Sequence, residues 1–344
     1  MPALLPTETY PFMLILYTVK KLIFPLRTRV PLWKAISVLM TAPLNSSTFF
    51  QTYVGDVFTS MVKVFQDLLW IICFVFSGDF LLSEEDLGNN PHAWQDAFWY
   101  KHVAIPLICL APLWFRFNQC LRRYYDTNKR FPHLANAFKY ALSQCVTLFG
   151  AFHPLYLMHY HTGDNIWGTN LFQIFWTGLF VSSSLYSWCW DVYMDWGLGR
   201  KEYAMLGPRL MFPKKICYYL VIVADLFLRF MWVLTLIPPQ SGAKFELPYY
   251  LSAINMVVEL FRRTIWGFFR LENEHRFNTS QFRRVDFVPL HFDTGHSREY
   301  KKKEEKRGWT VLAEVFAVTV AVIAISISSI VAARNATANT DTAV

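Results

Sequence analysis

Stretches of about 20 apolar residues recur along the chain, separated by short connectors that carry most of its charge. Helices that are apolar on every side must be wrapped by protein or by lipid. The pattern predicts helices at 56–78, 97–117, 136–158, 166–190, 212–237 and 249–270, with a seventh at 309–333. Each is long enough to cross a hydrocarbon core of about 30 Å. Asp56, Lys63 and Asp67 interrupt the first of them. Residues 10–50 hold shorter apolar pieces broken by Pro25, Pro31 and Pro43, which suit a bilayer interface rather than its core. Only 17% of the 344 residues are charged, against about 25% in soluble domains. The expected fold class is an all-α polytopic membrane protein. Soluble enzyme, nucleic-acid reader and disordered scaffold are poor readings.

Loop charges set the expected orientation. Connectors 78–96 and 159–168 hold no Lys or Arg, and 238–248 holds only Lys244. The alternate connectors are basic: Lys20, Lys21, Arg27, Arg29 and Lys34; Arg122, Arg123, Lys129 and Arg130; Arg200, Lys201, Arg209, Lys214 and Lys215; and the stretch from Arg270 to Arg307. The N-terminus, 118–135, 191–214 and 271–308 are therefore expected in the cytosol. The net charge of +8 then reflects basic loops on one side of a bilayer. Lys301–Arg307 reads as a solvated juxtamembrane anchor. Pro11–Val19 is too short and lacks the basic leader of a cleaved signal. The six cysteines are scattered, without paired spacing, which argues against a disulfide framework or a metal site. No nucleotide-binding motif is present, and no cofactor is expected.

Ionisable residues inside apolar helices carry the functional information. A charge at mid-membrane costs about 2.5–3.5 kcal/mol on insertion scales, so it faces protein or a watery path. Besides Asp56, Lys63 and Asp67, the set is Arg116, Lys139 beside Tyr140, Asp191, Asp225, Arg229, Glu259, Arg262 and Arg263. They occupy all six helices and describe a polar axis through a bundle. Asp225 and Arg229 are i,i+4, as are Glu259 and Arg263, and Trp232 shares the face of Arg229. Two adjacent arginines cannot both be satisfied by Glu259. The expectation is that Arg263 pairs with Glu259 and Arg262 keeps capacity for an anion. A guanidinium fork matches phosphate oxygens bidentately.

Weaker constellations have plainer explanations beside the functional ones. Asp191 and Asp195 are i,i+4 carboxylates that could hold a divalent cation, as in membrane phosphotransferases. His153, His159 and His161 could bind zinc, but a wet helix end explains them more cheaply. Trp94, Phe98, Trp99, Tyr100, Trp188, Trp190 and Trp309 read mostly as an interfacial aromatic belt.

Four long segments, Trp114–Tyr140, Trp190–Leu198, Asp225–Trp232 and Glu259–His275, closely resemble the EXS domain and appear in its order. The resemblance covers about residues 45–275. The EXS family includes phosphate exporters and a yeast Golgi protein needed to retain lumenal endoplasmic-reticulum proteins. It implies six helices around a path for inorganic phosphate. Carried over, the path would comprise Arg116, Lys139, Tyr140, Arg229, Trp232, Arg262 and Arg263. Asp56 and Asp191 would position those cations, and the helix spacing adds Asp225 and Glu259. The chain departs from the family pattern at Thr59 and Val62, where Asn and Ser are usual. It also departs in the helix at 309–333 and in having no SPX segment within these residues, and Leu4-Leu5-Pro6 resembles the end of a preceding helix.

The organisation expected is an interfacial segment at 1–50, an EXS domain at 51–275, a basic linker at 276–308 and a further helix at 309–333. The function expected is phosphate transport, not enzymatic, across the Golgi membrane or, alternatively, the plasma membrane. The alternatives are a Golgi sorting scaffold and a metal-dependent phosphotransferase using Asp191 and Asp195. The partners expected are phosphate, the lipid bilayer, a second copy of the chain and an SPX-containing regulator in trans. Nucleic acid is not among them.

Overall fold

The computed structural model describes residues 9–79, 93–95, 97, 99–152, 171–231, 249–280, 309–321 and 323–324. Among these the fold is all-α, with no strand beyond one isolated bridge between Arg200 and Leu206. The chain divides into two compact units, residues 1–126 and 127–344.

The first unit begins with α1 (Thr9–Ile23) and α2 (Leu26–Met40), separated at Pro25. Each has 15 residues, about 22 Å of helix, which is short of a bilayer core. α3 (Phe49–Phe58) starts at a capping box in which Thr48 and Gln51 satisfy each other's backbone. It packs on α2 around Ala35, Leu39 and Val54, with Leu32, Ile36, Phe58 and Phe115 at the edges of that core. The helix expected at 56–78 is two helices, because α4 (Val62–Ser77) turns away from α3 by 66°. The Thr59 hydroxyl donates to the Asp56 carbonyl at 2.7 Å. Such local side-chain bonds compete with the helical ladder and bend it. A π-turn (Tyr100–Ala104) leads into α5 (Ile105–Thr127).

In the second unit α6 (Arg130–Phe152) packs on α7 (Leu171–Trp190), α7 on α8 (Lys215–Phe230), and α8 on α9 (Tyr249–Ser280). α7 ends in a second π-turn, Asp191–Asp195, closed by Trp196 N–H donating to Asp191 O at 2.8 Å. π-turns inside α-helices occur frequently at functional sites. The turn leaves both aspartates buried, and it packs on α9. Gly197 follows with φ of 62°. A Cβ there would sit 2.5 Å from Asn273 Oδ1, so backbone conformation and close approach both demand glycine. Arg276 completes the junction, donating to the carbonyls of Trp196 and Arg209 at 2.8 Å each. α10 (Trp309–Ala321) turns Val311, Glu314, Val315, Val318 and Thr319 toward the protein, and Arg130 pairs with Glu314 at 2.5 Å.

Among the described residues no single helix is long and apolar enough to cross a membrane, although α3 and α4 together meet that requirement. α5 and α9 have 23 and 32 residues, but both carry several charged side chains. Residues 153–170 and 232–248, parts of three expected spans, lie outside the described residues, as does most of 322–333.

Candidate functional site

Three helices of the second unit bring two arginines and three carboxylates together. Arg262, on α9, donates from Nε and Nη2 to the two oxygens of Glu259, at 2.7 and 2.6 Å. Its Nη1 donates to Asp225 Oδ1, on α8, at 3.0 Å and lies 3.7 Å from Asp191 Oδ2. Arg229, one turn beyond Asp225, donates to Asp225 Oδ2 at 3.2 Å and forms a short ion pair with Asp191. Asp191 is 1% exposed. Three of the five Arg262 N–H donors are therefore committed to carboxylates, against two for Arg229. The Arg262 side chain is 4% exposed and that of Arg229 14%. Removing one member of such a network strands its partners in low dielectric, at about 3–5 kcal/mol.

This geometry corrects the expectation drawn from helix spacing. Arg262, at i+3, takes the forked pair with Glu259. Arg263 lays its guanidinium over the Trp266 ring, 4.6 Å from the centroid. A two-point fork with an acid on its own helix, plus an acid from α8, leaves Arg262 the most constrained cation of the cluster.

Lys139, buried on α6, lies 4.7 Å from the Tyr140 ring and 5.5 Å from that of Trp190. A cation over such ring faces is attracted by their quadrupoles. Trp190, read from sequence as interfacial belt, is instead a buried neighbour of Lys139. The signal for that lay in its place beside Asp191, inside a charge-bearing segment. The fields of Lys139 and Arg263 also act on Asp191.

The first unit holds its own buried pair. Arg116 Nε donates to Asp56 Oδ1 at 2.8 Å, and its Nη1 donates to Gln119 Oε1 at 2.6 Å. Both charged side chains are buried. A Cβ on Gly55 would meet Arg116 Cδ at 2.5 Å, so the glycine opens the space that the guanidinium stem occupies. Lys63 and Asp67 pair on the half-exposed face of α4.

Asp191 and Asp195 are drawn into different networks. Asp191 serves the two arginines, whereas Asp195 accepts from Trp266 Nε1 at 3.2 Å and lies 3.8 Å from Arg270. Among the described residues no three His, Cys, Asp or Glu side chains gather to hold a metal. Trp232, His153, His159 and His161 lie outside the described residues. Asp195 and Trp266, which sequence reasoning did not connect, are 71 positions apart and meet only through the fold.

The EXS family model matches residues 1–276, including the N-terminal segment set apart from the sequence. The chain is 34% identical over 294 residues to "SPX and EXS domain-containing protein 1" of Dictyostelium discoideum, covering 82% of this chain and 30% of that protein. It is 34% identical over 310 residues to human "Solute carrier family 53 member 1", covering 85% of this chain and 43% of that one. It is also 34% identical over 305 residues to "Xenotropic and polytropic retrovirus receptor 1 homolog" of Danio rerio, covering 84% and 42%. The chain thus spans less than half the length of these relatives. With the family model matching most of its length, and the relatives aligning over the same region, the chain belongs to the EXS family.

Proposed function

We propose that the chain moves inorganic phosphate across a membrane, passively or under a gate, as an exporter-like carrier or channel. The observation that carries this reading is the cluster of Arg229, Arg262, Asp191, Asp225 and Glu259, in which Arg262, Asp191 and Asp225 are buried, with buried Lys139 beside it. Three buried charges and two partly buried ones are costly as a purely structural device, since apolar packing of the same volume is often as stable. Arginines that exchange carboxylate oxygens for phosphate oxygens would replace the hydration shell of the anion. Nearby acids would keep that binding weak enough for release. Kinship with proteins named as solute carriers supports the same reading.

The phosphate-handling residues are Arg116, Lys139, Tyr140, Arg229, Trp232, Arg262 and Arg263, and Asp56, Asp191, Asp225 and Glu259 are their acidic partners. Arg262 anchors the acids, and Arg229 on α8 and Arg263 on α9, both less buried than Arg262, are the cations more open to the anion. The chain spans the membrane several times with 118–135 and 191–214 on the cytosolic side, in the Golgi rather than the plasma membrane. The EXS bundle occupies 51–275, and the helix at 309–333 is accessory. A second copy and an SPX-bearing regulator in trans are its partners, the latter suggested by a relative whose name joins SPX to EXS.

Proteoliposomes of the purified chain, loaded with radiolabelled phosphate, test the reading. Efflux above protein-free vesicles is expected, with loss in Arg229→Ala. Native protein that moves no phosphate would overturn it.

A further inference from the structure

On α9, Arg263 lies over the ring of Trp266, one turn further along the same helix. The Trp266 ring beneath it is fully buried. An indole has one polar donor, so a buried ring is fixed about its long axis by whatever accepts its N–H. For Trp266 that acceptor is Asp195 Oδ2, at 3.2 Å. Asp195 is itself held in place. Its carbonyl accepts from Asn273 Nδ2 at 2.9 Å, its other carboxylate oxygen lies 3.8 Å from Arg270 Nε, and the π-turn fixes its backbone. The Trp266 carbonyl accepts from Trp196 Nε1 at 3.3 Å, a second bond from the same segment to this turn of α9. The π-turn therefore sends one carboxylate to Arg229 and Arg262 directly, and a second to Trp266, on which Arg263 rests.

We propose that Asp195 is a positioning residue for the anion site: by accepting the Trp266 N–H it sets the ring plane that holds the Arg263 guanidinium. The proposal rests on the reading that Arg263 meets phosphate. Without the acceptor, a buried N–H drives the ring to turn toward another partner, and Arg263 loses the face that orients it.

Half-saturating phosphate and maximal flux, measured in proteoliposomes and normalised to reconstituted protein, provide the test. Asp195→Ala should raise half-saturating phosphate about fivefold, the factor that one cation–π contact represents. Trp266→Phe, which keeps an aromatic face and deletes the N–H, should raise it at least as much. Asp195→Asn, whose amide oxygen still accepts the N–H while the charge facing Arg270 is lost, should recover most of the loss. In an Arg263→Ala background, Asp195→Ala should add nothing. An equal rise in both backgrounds, or Asp195→Asn as impaired as Asp195→Ala, would overturn the positioning role and leave phosphate transport standing. An Arg263→Ala protein with native half-saturation and flux would instead remove Arg263 from the phosphate site, and the proposal with it.

Discussion

Arg262 reaches both oxygens of Glu259 from one turn of α9 and, through its third nitrogen, Asp225 on α8. The residue that ties two helices together is thus one of two adjacent arginines that look interchangeable in sequence. Their neighbours separate them: Arg262 sits among carboxylates, and Arg263 lies against an aromatic face. A guanidinium is suited to both surroundings, since its planar fork grips two acid oxygens at once and stacks flat on a ring, a geometry that an ammonium lacks.

Arg262→Ala should therefore damage the protein before it damages transport. Its loss leaves Glu259 and Asp225 without their shared cation and weakens the field at Asp191. A destabilisation of about 3–5 kcal/mol is expected, read as a marked drop in the thermal midpoint of detergent-solubilised protein and in its yield. Arg262→Lys should recover only part of this, because one ammonium cannot bridge Glu259 and Asp225 with the same fork. A native midpoint in Arg262→Ala would show that the network contributes nothing to the fold.

Arg229→Gln should show the opposite balance. Arg229 is more accessible than Arg262, and Asp225 and Asp191 keep Arg262 as a partner when it is gone. Phosphate flux should fall at least about tenfold, the effect of losing one charge-assisted contact. The thermal midpoint should fall less than in Arg262→Ala. Equal thermal losses in the two variants would mean that exposure and bond count do not rank the two arginines.

Much of this cluster was legible because buried charge is conspicuous in an apolar chain. Asp225 and Arg229 pair at i,i+4 as their spacing suggests. The same rule placed Glu259 with Arg263, yet the fork onto Glu259 comes from Arg262 at i+3, since i+3 and i+4 neighbours are equally near on a helix. What separates them is Asp225 on another helix, which local spacing does not contain. The 66° break between α3 and α4 hid in an apolar run, its only trace the Thr59-Ser60 pair that bonds back to the preceding turn. Trp190 looked interfacial because position along a span says nothing of which way a helix turns its face.

The contact that holds α10 separates apolar from ionic support. Arg130 and Glu314 approach to 2.5 Å, but their side chains are 74% and 36% exposed. Solvent screens such a pair to about 0–1 kcal/mol. Val311, three residues before Glu314, is buried. Glu314→Ala should therefore change protease sensitivity of the 309–321 segment little, whereas Val311→Asp should expose it to cleavage. The reverse order would make the ion pair the anchor.

Gly55 makes the clearest steric case. It lies on α3 one residue before Asp56, where a methyl group would fall 2.5 Å from Arg116 Cδ and 3.1 Å from both Gln119 Oε1 and Leu39 Cδ1. In an exposed helix Gly→Ala gains stability through propensity, by about 0.5–1 kcal/mol. Here the intruded atom is the middle of a buried side chain fixed at its far end by Asp56 and Gln119, so it cannot swing aside without breaking those bonds. Overpacking at such a site costs about 1–3 kcal/mol, and the loss of the buried pair adds to it. Gly55→Ala should therefore destabilise the protein despite the better helix former. In an Arg116→Ala background, where the obstructing stem is gone, the same methyl should cost much less. Comparing the two shifts in thermal midpoint isolates the clash. If Gly55→Ala were harmful to the same extent in both backgrounds, the glycine would owe its place to something other than Arg116.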